Sequence, residues 1–190
     1  RLSSFAVLPM LIGLFAVADT LVLALLGEQW MVCVPFLRIM CISYCFWPIH
    51  ITNLQAINAV GRSDIFLKLE LVKKGLSLAA LLVGIQFNVF IMVCIKAFQD
   101  FLCTFVNAAP NQKLLGYSIA QQWRDVAPPA FLSAVMCAAV MAAGRLLPEM
   151  SVWLKLAVQI VCGCGVYAGL AWIFRLESFC YLVGMVRGEK

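Results

Sequence analysis

FAVLPMLIGLFAVADTLVLALL, residues 5–26, holds a single ionisable side chain, Asp19, in 22 positions. Wound as an α-helix at about 1.5 Å per residue, the run is about 33 Å long. That is the thickness of a bilayer's hydrocarbon core, about 30 Å, and longer than the apolar region of a secretory signal. With Arg1 and not Met at its head, the sequence reads as an internal stretch of a longer protein.

Five further stretches behave like the first: about 31–60, 65–87, 89–109, 130–147 and 152–174. The chain has 190 residues, 64% hydrophobic and 12% charged, with mean hydropathy +0.99. These values lie outside the range of soluble domains and predict an all-α integral membrane bundle of six transmembrane helices. Residues 110–128, with mixed polarity plus Tyr117 and Trp123, read as a loop and a short helix at the cytoplasmic interface, and residues 175–190 as a cytoplasmic tail. The net charge of +5 is dispersed between apolar runs and forms no continuous basic face, so nucleic acid is not an expected partner. Nine cysteines are present, yet the nearest pair, Cys162 and Cys164, is separated by one residue and His50 is the lone histidine. No metal site and no cofactor are expected from that pattern.

Lys and Arg fall mainly on one side of this topology. Ten, including Arg1, Arg62, Lys68, Lys73, Lys74, Lys113, Arg124 and Arg175, lie on the side of both termini; Arg145 and Lys155 lie on the other, and Arg38 and Lys96 fall within spans. The asymmetry places both termini in the cytoplasm. The GEQW turn, the connection near Asn88 and the LPEM loop then face outward, carrying only Glu28 and Glu149 as acids and no histidine. Such turns offer little to acid–base or nucleophilic catalysis, and the protein is not expected to be an enzyme.

Ionisable groups at mid-span cost about 2.5–3.5 kcal/mol on insertion scales and face partner helices or wet cavities. Lys96, Gln99, Asp100, Cys103 and Asn107 recur at three- and four-residue steps, one helical stripe on which Lys96 and Asp100 can pair. In the second span Pro48 interrupts the hydrogen-bond ladder, His50 and Asn53 share one side, Gln55, Asn58 and Arg62 form a second stripe nearer the cytoplasmic end, and Gly61 is placed to end the helix. The cavity candidates are therefore Arg38, His50, Asn53, Gln55, Asn58, Lys96, Gln99, Asp100 and Asn107. Asp19 and Asp100 are candidates for ion coupling. The segment KLELVKK, residues 68–74, reads as a cytoplasmic extension of the third span in which Glu70 pairs with Lys73 or Lys74.

Four pieces carry more than physical pattern: LLGEQW, VPFLRIMCISYCFWPIH, NLQAINAVGRSDIFLKLELVKK and NAAPNQKLLGYSIAQQWRDVAPP. They resemble the C-terminal half of bacterial polysaccharide and lipopolysaccharide biosynthesis flippases, the Wzx-like branch of the multidrug/oligosaccharidyl-lipid/polysaccharide exporter superfamily. The resemblance implies two six-helix lobes around a central cavity, of which this chain is one, and alternating access by rocking. It implies an undecaprenyl-diphosphate-linked oligosaccharide as cargo, membrane lipid and a missing N-terminal lobe of the same protein as partners, and the bacterial inner membrane as location. Cations suit a diphosphate and amides a glycan, so Arg38 and Lys96 are the anion contacts under this reading. A multidrug exporter of the same superfamily would favour acidic and aromatic groups around cationic drugs, and a non-transporting scaffold would use the Lys96 stripe as helix glue.

Overall fold

The computed structural model describes residues 2–147, 150–174 and 179, and every regular element among them is helical. Seven α-helices follow in order: α1 (Leu2–Leu25), α2 (Val34–Tyr44), α3 (Trp47–Ala59), α4 (Ser63–Gly84), α5 (Val89–Leu115), α6 (Ile119–Leu146) and α7 (Val152–Ile173), with a 3-10 turn at Glu28–Cys33. The all-α bundle expected from composition is what forms. Arg1, the LPEM loop's Pro148 and Glu149, and all of the 175–190 tail except Phe179 lie outside the described residues.

Five helical stretches are long and apolar enough to cross a membrane: Leu2–Leu25, Glu28–Ala59, Val89–Asn111, Ile119–Leu146 and Val152–Ile173. The sixth expected span is α4. It has the length, 22 residues, but every 18-residue window within it contains Lys68, Glu70, Lys73 and Lys74, too many charges for the hydrocarbon. Large apolar side chains point away from the protein throughout, Met10 at 74% exposure and Trp172 at 74% among them. Such surface is stable against acyl chains and costly in water.

Two local departures from the sequence expectation have physical causes. The second span is broken, not merely kinked: α2 stops at Tyr44 and α3 starts at Trp47. Tyr44 is the residue four before Pro48, whose ring collides with that carbonyl and which has no N–H to offer it. Phe46 N–H turns back to Ser43 O at 3.3 Å, and Thr52 Oγ1 donates to Pro48 O at 2.7 Å, so the break is held by local bonds. The region 110–128, expected as a loop with a short helix, is instead the continuation of α5 and the start of α6. Glycines at positive φ make the remaining turns tight, Gly61 (φ 75°) after α3 and Gly116 (φ 67°) after α5, where a Cβ would crowd the following carbonyl.

The chain divides into two compact units, Arg1–Arg38 with Val126–Lys190, and Ile39–Asp125. In the first unit α1 packs on α7 around an apolar core of Phe5, Ala16, Val17, Leu132, Met136, Val140, Leu156, Tyr167 and Ala171. Tyr167 satisfies its hydroxyl there by donating to Phe5 O at 2.9 Å, its ring 5.3 Å from that of Phe5. In the second unit α5 lies against α3 and α4, and about half of its buried residues are polar: Ser43, Asn53, Gln99, Thr104, Asn107, Asn111 and Gln122. Lipid tails are as apolar as leucine, so hydrogen bonds take over part of the adhesion that burial supplies in water. An aromatic group, Phe46, Phe101, Phe105 and Trp123, packs the remainder with ring centroids 5.2–6.5 Å apart.

Candidate functional site

Five charged residues of the second unit, Glu70, Lys73, Lys74, Lys96 and Asp100, line a pocket of about 350 Å³ between α3, α4 and α5. Its walls include Lys73, Lys74, Glu70 and Ser77 from α4, Lys96, Gln99, Asp100, Cys103 and Asn107 from α5, and His50 from α3. All five residues of the helical stripe read from the sequence line this pocket, from the exposed Lys96 to the buried Asn107. Lys96 pairs with Asp100, and Lys73 with Glu70. KLELVKK carries its Glu70, Lys73 and Lys74 into the same pocket as the Lys96 stripe, so the charges that looked like an extension beyond the membrane have their counterpart on α5.

A chain of hydrogen bonds fixes the floor of the pocket. Ser43 Oγ donates to Asp100 Oδ2 at 2.7 Å, so both carboxylate oxygens are engaged, and Thr104 Oγ1 donates to Asp100 O at 3.3 Å. His50 sits between Thr104 and Asn107: its Nε2 is 3.3 Å from Thr104 Oγ1 and its Nδ1 2.7 Å from Asn107 Nδ2. With Asn107 donating to Nδ1, the proton belongs on Nε2, where it meets the Thr104 oxygen, and the pattern closes for a neutral imidazole. Gln99 Nε2 donates to Ser77 Oγ at 2.9 Å, tying α5 to α4. Asn107 is fully buried, yet its Oδ1 has no hydrogen-bond partner among the described residues. A buried, unmet acceptor costs about 1–3 kcal/mol and is satisfied by a donor brought from outside.

Beside this polar pocket lies a groove of about 370 Å³ lined by Ala80, Leu81 and Met92, with Ser77 and Lys96 shared between the two. One end of the combined space offers cations, amides and hydroxyls, and the other offers aliphatic surface. An amphiphile has the matching division.

The nine cavity candidates do not all meet there. His50, Lys96, Gln99, Asp100 and Asn107 do. Asn53 belongs to a separate buried chain of amides: Asn111 Nδ2 donates to Asn53 Oδ1 at 2.6 Å and to Asn53 O at 3.0 Å, and Asn53 Nδ2 donates to Gln122 Oε1 at 2.8 Å. It joins α3, α5 and α6. Gln55 and Asn58 are on the exposed side of α3. Arg38 and Asp19 form an ion pair at 2.6 Å in the first unit, where both line a second pocket, of about 300 Å³.

Several participants escaped sequence reasoning: Ser43, Lys73, Ser77, Thr104, Asn111 and Gln122. A signal for Asn111 was present, since it continues the Asn107 stripe by four residues; Pro110 in between argued for a helix end that α5 passes through. Ser43, Ser77 and Thr104 are small hydroxyls that satisfy themselves against a helix's own carbonyls as readily as they face a cavity. Nothing in their spacing distinguishes the two.

Helices of this length and apolarity define a multi-pass membrane protein. Residues 1–35, which comprise α1, the 3-10 turn and the start of α2, match a family described as Polysaccharide biosynthesis protein, and this match with the apolar helices fits a membrane protein of polysaccharide synthesis. No curated protein and no solved structure matches the chain.

Proposed function

We propose that the chain is one lobe of a transporter that flips lipid-linked oligosaccharide across the bacterial inner membrane by alternating access, as the Wzx-like resemblance implies. The observation that carries this reading is the juxtaposition of the lysine-walled polar pocket with the aliphatic groove, sharing Lys96 and Ser77. A diphosphate competes for Lys73, Lys74 and Lys96 with Glu70 and Asp100, which hold two of those lysines until it arrives. The glycan takes the amide and hydroxyl groups of Gln99, Asn107 and Ser77, and the isoprenoid follows the groove. The role is transport and not catalysis. The other lobe, by the same resemblance, belongs to the same protein and precedes this one, with both termini of this lobe in the cytoplasm.

The test is a flipping assay on liposomes containing the two-lobe protein, with a fluorescent undecaprenyl-diphosphate oligosaccharide as cargo. Lys96→Ala and Lys73→Ala each slow the initial rate by roughly tenfold, the worth of one charge-assisted contact, while Gln55→Ala leaves it alone. An unchanged rate in Lys96→Ala at equal protein level overturns the reading, and faster export of a cationic drug than of lipid-linked sugar replaces it with multidrug export.

A further inference from the structure

The pocket of the first unit shares no residue with the one assigned to cargo, and its chemistry is different. Arg145 comes from the last turn of α6 and Lys155 from the start of α7; both line the pocket with Arg38 and Asp19. Asp19 is committed to Arg38, leaving Arg145 and Lys155 with no acidic partner among the described residues. Arg38 itself is braced, its Nε donating to Phe15 O at 3.4 Å and its guanidinium 5.4 Å from the centre of the Phe15 ring. Two of its donors are used on Phe15 and Asp19, and the rest of the guanidinium fork remains for a ligand.

Lys155 stands where a cation is least favoured, near the positive end of the α7 dipole. The N-cap of that helix, Ser151, makes no side-chain hydrogen bond to the first turn. Gln159, one turn further on, is 3% exposed, lines the pocket, and has its Oε1 without a hydrogen-bond partner. It lies so close to Gly144 that a Cβ there would fall 2.4 Å from Gln159 Nε2, so glycine at 144 is what admits the amide to the wall. The amide's single bond, to Val140 O, is long at 3.4 Å.

Three cations against one anion in about 300 Å³, the lower end of the size of ligand sites, make a site for a compact oxyanion, and the unmet Gln159 Oε1, an acceptor, is served there by water or a protonated phosphate oxygen. From this arrangement we infer that the first unit binds a phosphate group, held by Arg38, Arg145 and Lys155. A phospholipid headgroup and a free phosphate present the same tetrahedral oxyanion, and bidentate recognition by arginine suits either.

Native mass spectrometry of the purified full chain tests this, with phosphatidylglycerol, phosphatidylcholine, inorganic phosphate and pyrophosphate titrated in turn. Wild type retains a phosphate-bearing species through detergent removal, and Arg145→Gln with Lys155→Gln weakens that binding by about tenfold or more. The charge-preserving pair Arg145→Lys and Lys155→Arg restores most of it. Unchanged thermal unfolding of the neutral double variant separates loss of a site from loss of fold. Retention of phosphatidylglycerol without competition by the inorganic ions identifies a headgroup site, and competition by phosphate or pyrophosphate identifies a free-phosphate site. The phosphatidylglycerol or inorganic phosphate lost in the Arg145→Gln, Lys155→Gln variant is kept by Lys96→Ala, so failure of the cargo reading does not touch this one. Binding unaffected by the double variant, or abolished by Lys96→Ala alone, overturns the inference.

Discussion

Asn53 and Gln55 sit two residues apart on α3 and look equally polar in the sequence, but the structure assigns them opposite consequences on mutation. Asn53 is 3% exposed, and its side chain makes two interhelical hydrogen bonds, at 2.6 Å from Asn111 Nδ2 and 2.8 Å to Gln122 Oε1. Interhelical hydrogen bonds in membranes average about 0.6 kcal/mol and reach about 1.7 kcal/mol. Asn53→Ala removes both and strands Gln122, whose Nε2 already lacks a partner among the described residues, adding the roughly 1–3 kcal/mol of an unmet buried amide. The expected loss is about 2–4 kcal/mol of stability. It is read as a shift in the midpoint of SDS-induced unfolding of the detergent-solubilised chain, against Gln55→Ala, which moves nothing. In a double-mutant cycle Asn53→Ala and Gln122→Ala couple by about 0.6–1.7 kcal/mol. Equal midpoints for Asn53→Ala and Gln55→Ala, or no coupling to Gln122, would refute the amide chain as an interhelical tie.

Tyr167→Phe deletes the hydroxyl that donates to Phe5 O at 2.9 Å and is expected to lower stability by about 1 kcal/mol in the same unfolding assay, with the Phe5 ring contact preserved. At the exposed turn after α3, the Arg62 guanidinium, by hydrogen bonding to Asp64, holds that carboxyl below the usual carboxylate range. A depressed folded-state value means that the pair stabilises above the unfolded pKa, roughly 3.9, and that this contribution is lost as pH falls through the folded value. Any stability difference between wild type and Asp64→Asn therefore favours wild type at pH 7 and vanishes in acid, and comparison of the two unfolding curves at each pH checks the sign.

Hydrophobic run length located the helices because a bilayer imposes one number on every span, and α1, α5, α6 and α7 contain nearly all of the runs read from residues alone. The exception was α4, whose apolar second half made a span by length while Lys68, Glu70, Lys73 and Lys74 made its first half unfit for lipid. Helical period predicted which residues of α5 share a face, hence the Lys96–Asp100 pair and the inward stripe. Period could not say which other helix that face meets. That is why Lys73 and Ser77 were invisible as neighbours of Gln99 and Lys96, and why Arg38 and Lys96, alike as cations within apolar runs, were grouped although they line pockets in different units. Side-chain partners are a property of tertiary placement, and a polar residue such as Asn53 carries the same sequence signature whether it lines a cavity or ties three helices.

The proposed function requires Lys96, which lines the polar pocket, to be reached by water and by an anionic headgroup. Replacing the nine native cysteines with alanine, introducing Lys96→Cys and treating membrane vesicles with a charged, membrane-impermeant thiol reagent measures that directly. Rapid modification without cargo and protection when undecaprenyl-diphosphate oligosaccharide is added are the expected results. A thiol that never reacts, as it would if turned toward acyl chains, or one that reacts equally with and without the lipid-linked sugar, would contradict the proposed function.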